Sequence, residues 1–177
     1  NPSSMHKMGV GAEKYIRYAK EVISRQLKCE TSEIVFTSGG TEANNLALIG
    51  TALANQRAGK HIITTGIEHA SVYNPILYLQ DLGFRVTFLK VDSSGKVDLE
   101  DLKQSLCEDT ILVSTMAVNN EIGTISDVEA VAAICKKNNV PVIFVDITPI
   151  IDTRYGEDAE FTRKNEDVIA YNEVAVK

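Results

Sequence analysis

The sequence contains no tryptophan, and aromatic residues of every kind make up 6% of its 177 positions. Stacking platforms for unpaired bases are therefore scarce. A surplus of basic residues is lacking too. Eighteen lysines and arginines face 24 acidic residues, a formal net charge of −6. Without a basic stripe to meet phosphates, nucleic acid and anionic membrane surfaces are poor partners. The longest apolar stretch, residues 46–54, is interrupted by Gly50 and Thr51. It falls far short of the roughly 20 residues that span a bilayer as a helix. Cysteine is sparse: Cys29, Cys107 and Cys135. An odd number without short spacings fits neither a disulfide framework nor a zinc site, and points to reduced thiols in a cytosol-like compartment. The opening Asn1-Pro2-Ser3-Ser4 has neither the basic region nor the apolar core of a secretory signal. It lacks an initiator methionine, so the expectation is a chain that begins inside a longer one.

What is present is ordinary for a soluble globular protein: 44% hydrophobic and 24% charged residues, over a length suited to one domain. Residues 1–11, with His6, are polar and glycine-bearing and suggest a loop. From residue 12 to 27, Tyr15, Ile16, Ala19, Val22, Ile23 and Leu27 recur at helical spacing. The run Glu33-Ile34-Val35-Phe36 suggests a strand. The β-branched run 61–65 predicts a second strand, and Ser71 a helix cap, with that helix ending at Gly83. Further strands are expected at 84–91, 110–116 and 141–145. Asp98 predicts a helix start, and Ser126-Asp127-Val128-Glu129 predicts a capping box opening a helix to about residue 137. Strands thus alternate with helices. The fold class is α/β, a mostly parallel sheet flanked by helices.

The stretch Thr37-Ser38-Gly39-Gly40-Thr41-Glu42-Ala43-Asn44-Asn45 organises the rest. It reads as strand, glycine turn and helix N-terminus. Two adjacent glycines let the backbone come close to a ligand, and the free N–H groups of a helix start attract an anion. An ordinary strand-to-helix turn is the competing reading. In open parallel sheets ligands gather outside the carboxyl ends of the strands. Four polar clusters fall at such ends: Gly39-Gly40-Thr41, Glu68-His69, Asn119-Asn120 and Asp146.

Taken in order, Asn1-Pro2-Ser3-Ser4 with His6, the glycine stretch 37–45, Ile67-Glu68-His69, Val118-Asn119-Asn120-Glu121-Ile122-Gly123 and Val145-Asp146 closely resemble the cysteine desulfurases. These are class V aminotransferase-fold enzymes dependent on pyridoxal phosphate, with selenocysteine lyases as close relatives. The resemblance runs over residues 1–148. It implies part of the large, cofactor-binding domain of a fold-type I pyridoxal-phosphate enzyme, followed by a divergent, charged segment, residues 149–177. By the resemblance, Gly40 and Thr41 contact the cofactor phosphate. His69 stacks on the pyridine ring and can also move protons, Asn120 lies near the ring hydroxyl, and Asp146 pairs with the pyridine nitrogen. That pairing keeps the nitrogen protonated, so the ring can act as an electron sink. The implied reaction takes sulfur or selenium from cysteine or selenocysteine, leaving alanine and an enzyme persulfide. A mobile-loop cysteine thiolate is the nucleophile. A homodimer, a sulfur-acceptor protein, a role in iron–sulfur cluster assembly and a cytoplasmic location are implied as well, the mitochondrial matrix being the other compartment the family allows.

The sequence also departs from the family pattern. Pro149 stands where family members usually carry a glutamine that donates to the ring oxygen. The segment bearing the cofactor-linked lysine is not found at its expected distance; Lys164 and Lys177, the lysines after Asp146, lack its glycine-rich surroundings. None of the three cysteines occupies the catalytic position. The chain alone is therefore expected to be incomplete for catalysis. The alternative is a non-catalytic relative that serves as a binding or dimerisation module.

Overall fold

The computed structural model describes residue 2 and residues 5–146. The segment 149–177, its suggested strand near residues 168–171, Pro149, Lys164 and Lys177 lie outside the described residues. Two compact units divide the chain, Asn1–Thr37 and Ser38–Lys177.

In the first unit, helix α1 spans Lys7–Leu27 and so takes in half of the expected loop. The reason is a cap: the His6 side chain accepts a hydrogen bond from the Gly9 N–H at 3.2 Å, satisfying a donor at the helix start. Lys28, left-handed at φ 53°, closes the other end. The strand expected at residues 33–36 does not form. One turn of 3-10 helix, Thr31–Glu33, is followed by an extended segment without ladder partners among the described residues. Val35 and Phe36 are correspondingly exposed.

The second unit holds α2 (Gly40–Asn55), β1 (His61–Thr65), α3 (Ala70–Asp81), β2 (Arg85–Leu89), α4 (Leu99–Ser105), β3 (Thr110–Val118), α5 (Val128–Lys137) and β4 (Val142–Asp146). The four strands pair in parallel, in the order β2-β1-β3-β4. Alternation along each strand separates two cores. Ile62, Leu112 and Val145 pack with Leu48 and Ala52 of α2 and with Val72, Ile76 and Leu79 of α3. Ile63, Val113 and Phe144 pack on the other face with Leu102 of α4 and with Val131 and Cys135 of α5. Each fully buried aliphatic side chain contributes about 1.5–3 kcal/mol, so both faces are needed to hold the sheet. Among the described residues no helix is long and apolar enough to cross a membrane, and Cys29, Cys107 and Cys135 are free thiols.

Two caps differ from the expected ones. His69, rather than Ser71, caps α3, because its ring nitrogen reaches the Ser71 N–H. Asp127, rather than Ser126, caps α5 by accepting from the Ala130 N–H, while the Ser126 hydroxyl donates to the Met116 carbonyl at 2.6 Å. A hydroxyl drawn into a sheet-edge bond is no longer available to a helix.

Candidate functional site

The strand order reverses between β1 and β3: β1 passes to β2 on one side, β3 to β4 on the other. In such sheets the loops leaving the two central strands diverge and open a crevice at their carboxyl ends. Here those loops are residues 66–69 after β1 and 119–127 after β3. They are tied together. Asn119, buried, donates from Nδ2 to the Ile67 carbonyl at 2.8 Å, and its Oδ1 accepts from the Glu121 and Ile122 N–H groups at 3.0 Å each. Glu68 Oε1 accepts from the Thr65 hydroxyl at 2.6 Å and from the Met116 N–H at 3.2 Å. Its Oε2 is buried with no partner among the described residues. Burial pushes the Glu68 carboxyl up to about 7, against the opposing pull of those two hydrogen bonds.

His69 stands at the mouth of α3. Nδ1 accepts from the Ser71 N–H at 3.1 Å and lies 2.8 Å from the Ser71 hydroxyl, which in turn accepts from Asn44 Nδ2 at 2.8 Å. A backbone N–H can only donate, so Nδ1 is an acceptor. In the neutral ring the proton is on Nε2. One edge of the imidazole is thus committed to the helix cap, which leaves Nε2–H as the donor free to face a ligand.

Beside it, α2 begins at Gly40 with Gly39 as its N-cap, a residue with no side chain to cap the first turn. Gly39 has φ 167°, an extended conformation open to any residue. A Cβ at Gly39 or Gly40 would meet none of the described residues' atoms within 4 Å. Neither backbone strain nor packing within the described residues demands glycine here; what the pair leaves is open space beside the start of α2. That space and the N–H groups of a helix start fit an anion such as a phosphate ester. The Glu42 carboxylate does not block it. Glu42 turns back to accept from Ser38 N–H at 2.6 Å and Ser38 hydroxyl at 2.5 Å, bonds that hold it below the usual carboxylate range.

A cavity of about 400 Å³ lies between α2 and α3, lined by Thr41, Asn45 and Ile49 from one helix and by His69, Asn74 and Tyr78 around the other. Of the sequence-predicted residues, Thr41 and His69 share it, with Gly40 preceding Thr41. Asn120 is exposed in the turn after β3 and does not line this cavity. Asp146 ends β4 in register with Val118 of β3, at the same edge of the sheet as the β1 and β3 loops. Four further residues shape the site: Asn44 and Ser71 behind His69, and Glu68 and Asn119 between the loops. Glu68 and Asn119 stood beside predicted positions in the strand-end clusters. Asn44 lay in the glycine stretch and Ser71 was expected as a cap, but nothing marked the two as partners, since their contact joins positions 27 apart.

Residues 1–153 match the family described as Aminotransferase class-V. The chain belongs to the class-V aminotransferase family. Among curated members, it is 52% identical over 134 residues to a NifS/IcsS protein homolog of Lactobacillus delbrueckii subsp. bulgaricus, covering 76% of this chain and 35% of that protein. It is 46% identical over 140 residues to cysteine desulfurase IscS of Clostridium botulinum, covering 79% and 35%. Among solved structures, one described as a NifS-like protein superposes with a TM-score of 0.79 at 43% identity, covering 84% of this chain and 41% of that one. This class-V chain therefore spans little more than a third of the length of these curated relatives, and its fold is that of the NifS-like proteins.

Proposed function

We propose that the chain is the phosphate- and ring-holding part of a pyridoxal-phosphate-dependent cysteine desulfurase. The observation that carries the reading is the shared cavity: Thr41, in the first turn of α2, and the capped imidazole of His69 line one space. The family and the desulfurase relatives support it.

When bound, pyridoxal phosphate supplies an electron sink for the carbanion formed at the amino-acid substrate. The chain's own residues bind and orient. The Gly40 and Thr41 N–H groups, with the Thr41 hydroxyl, hold the phosphate. His69, its Nδ1 fixed by Ser71, offers its ring face to the pyridine and Nε2–H as the proton-bearing atom. Asn120 serves the ring hydroxyl. Asp146 serves the ring nitrogen, a role its place at the end of β4 supports. The reading carries with it cysteine or selenocysteine as substrate, a homodimer, a sulfur-acceptor protein and a cytoplasmic location.

Pyridoxamine phosphate tests the reading, because it needs no lysine to bind. Titrated into the chain, it is expected to shift the amide signals of residues 40–42 and the ring signals of His69. Thr41→Val and His69→Ala should each weaken binding by about 10-fold, the worth of one hydrogen bond or ring contact. Shifts confined to other residues, or affinity unchanged in both variants, would overturn it.

A further inference from the structure

At the opposite, amino-terminal edge of the sheet a second polar cluster stands apart from the cavity. Parallel register sets the first residues of three strands side by side: Arg85 of β2, His61 of β1 and Thr110 of β3. The turn before β3 adds Cys107 and Asp109. His61 is fully buried, yet its Nδ1 faces Cys107 Sγ at 3.1 Å, and Cys107 is exposed. Cys107 Sγ lies 3.2 Å from Asp109 Oδ1. The potential ligand atoms of the three side chains all lie within 4.8 Å of one another.

We propose that His61 Nδ1, Cys107 Sγ and Asp109 Oδ1 form a binding site for a thiophilic divalent cation of the zinc type. Nothing in the proposed desulfurase chemistry uses these residues.

The spacing suits such an ion. Zinc bonds of about 2.3 Å to sulfur and 2.0–2.2 Å to nitrogen and oxygen, at tetrahedral angles, put sulfur about 3.5 Å from each partner. The two separations to sulfur, 3.1 and 3.2 Å, need only a few tenths of an ångström of opening, and the Thr110 hydroxyl, 2.8 Å from Nδ1, gives up its bond to that nitrogen when the ion binds. The donor set, a thiolate, an imidazole and a carboxylate, is the set zinc takes, with solvent at the fourth position. The imidazole is also supported from behind. Coordination through Nδ1 requires the proton on Nε2, where the Thr87 hydroxyl lies 2.8 Å away to accept it. Metal-bound histidines are commonly oriented through their other ring nitrogen in this way. The edge is rigid as well: a Cβ on Gly59 would lie 2.2 Å from the Asp109 carbonyl oxygen, so only glycine permits this approach, and that carbonyl accepts from the His61 N–H at 3.0 Å.

A cation already occupies the neighbourhood in another form. Arg85 Nη2 donates to Asp109 Oδ1 at 2.7 Å and to Cys107 Sγ at 3.4 Å. Both members of that ion pair are about half exposed, with side-chain exposures of 57% and 48%, and exposed pairs contribute little. On binding, the Cys107 thiol releases its proton to water and the guanidinium swings into solvent. One thiolate and one carboxylate then balance a charge of +2. Sequence spacing hides the set, since Cys107 stands 46 residues from His61.

Cobalt(II), added to the chain under reducing conditions, serves as the visible stand-in for zinc. One equivalent is expected to give a thiolate-to-cobalt charge-transfer band, to shift the His61 ring signals and to be displaced by zinc. Cys107→Ser should abolish the band although Cys29 and Cys135 remain. Asp109→Asn should weaken binding more than about 10-fold, and Arg85→Ala should strengthen it. Circular dichroism establishes that each variant is folded, and Asp109→Asn carries the test if Cys107→Ser is not. A band that survives in Cys107→Ser, unmoved His61 signals, or no band at all would overturn the proposal.

Discussion

At the carboxyl end of the sheet, Glu68 is half-buried between two loops, its Oε2 buried and unpartnered among the described residues, and burial pushes its carboxyl up to about 7. At the amino end, Asp109 stands half in solvent beside the Cys107 thiol and the Arg85 guanidinium, hydrogen bonds that hold it below the usual carboxylate range. The two histidines are reversed. His61, at the amino end, is wholly inside and held by the Thr110 and Thr87 hydroxyls at 2.8 Å each. His69, at the carboxyl end, is partly exposed and held by a helix-start N–H. One end withdraws a carboxylate oxygen from solvent and leaves its imidazole partly exposed; the other leaves its carboxylate half exposed and buries its imidazole. The difference follows from where each side chain leaves the backbone: His61 lies within the hydrogen-bonded ladder, His69 in a loop beyond it.

The largest effect expected from this contrast concerns the imidazoles. His61→Ala removes a buried ring, leaves a cavity and strips a partner from two hydroxyls, and should cost about 3 kcal/mol or more. His69→Ala removes one cap bond at a partly exposed site and should cost about 1 kcal/mol. Denaturant unfolding of the two variants measures the gap. Equal losses would mean that burial does not separate the two ends.

Next comes pH. Glu68 has its pKa raised in the folded chain, from 4.5 to about 7. The folded state therefore binds the proton more tightly than the unfolded state, and this group's contribution to stability is complete below pH 4.5. It is lost as pH rises through that window to about 7, a fall of about 3 kcal/mol for a shift of this size. Glu68→Gln, which resembles the protonated form, should flatten that part of the stability profile. The exposed Asp109 should leave no comparable slope there. A profile equally steep in Glu68→Gln would sink the assignment.

How far the sequence announced these ends differs by element. The strand over residues 61–65 and the Asp98 helix start follow from β-branched runs and an acidic cap, and the structure has both. The helix start at Gly40 and the place of His69 just past a strand were legible because glycine turns and strand ends are marked by local residue types. The strand expected at 33–36 was not a matter of local preference: Val35 and Phe36 have the right composition, but no ladder partner receives them among the described residues. Nor could His69 be preferred over Ser71 as a cap by residue type, since serine is the commoner cap and only the loop's path turns the ring toward the N–H. Contacts such as Asn119 to Ile67 and Cys107 to His61 join positions 52 and 46 apart. They depend on how the strands are ordered, which no short window contains.

The smallest effect sharpens what holds His69. Two donors reach Nδ1: the Ser71 backbone N–H, which survives any substitution there, and the Ser71 hydroxyl, which does not. If the helix start sets the ring, Ser71→Ala should cost less than about 1 kcal/mol and leave the proton on Nε2. Nitrogen-15 shifts of the His69 ring report this directly. If the hydroxyl and the Asn44 amide behind it set the ring instead, the tautomer should become mixed in Ser71→Ala, and likewise in Asn44→Ala. The backbone donor argues for the first outcome: its direction is fixed by the helix, whereas a hydroxyl turns to suit its neighbours.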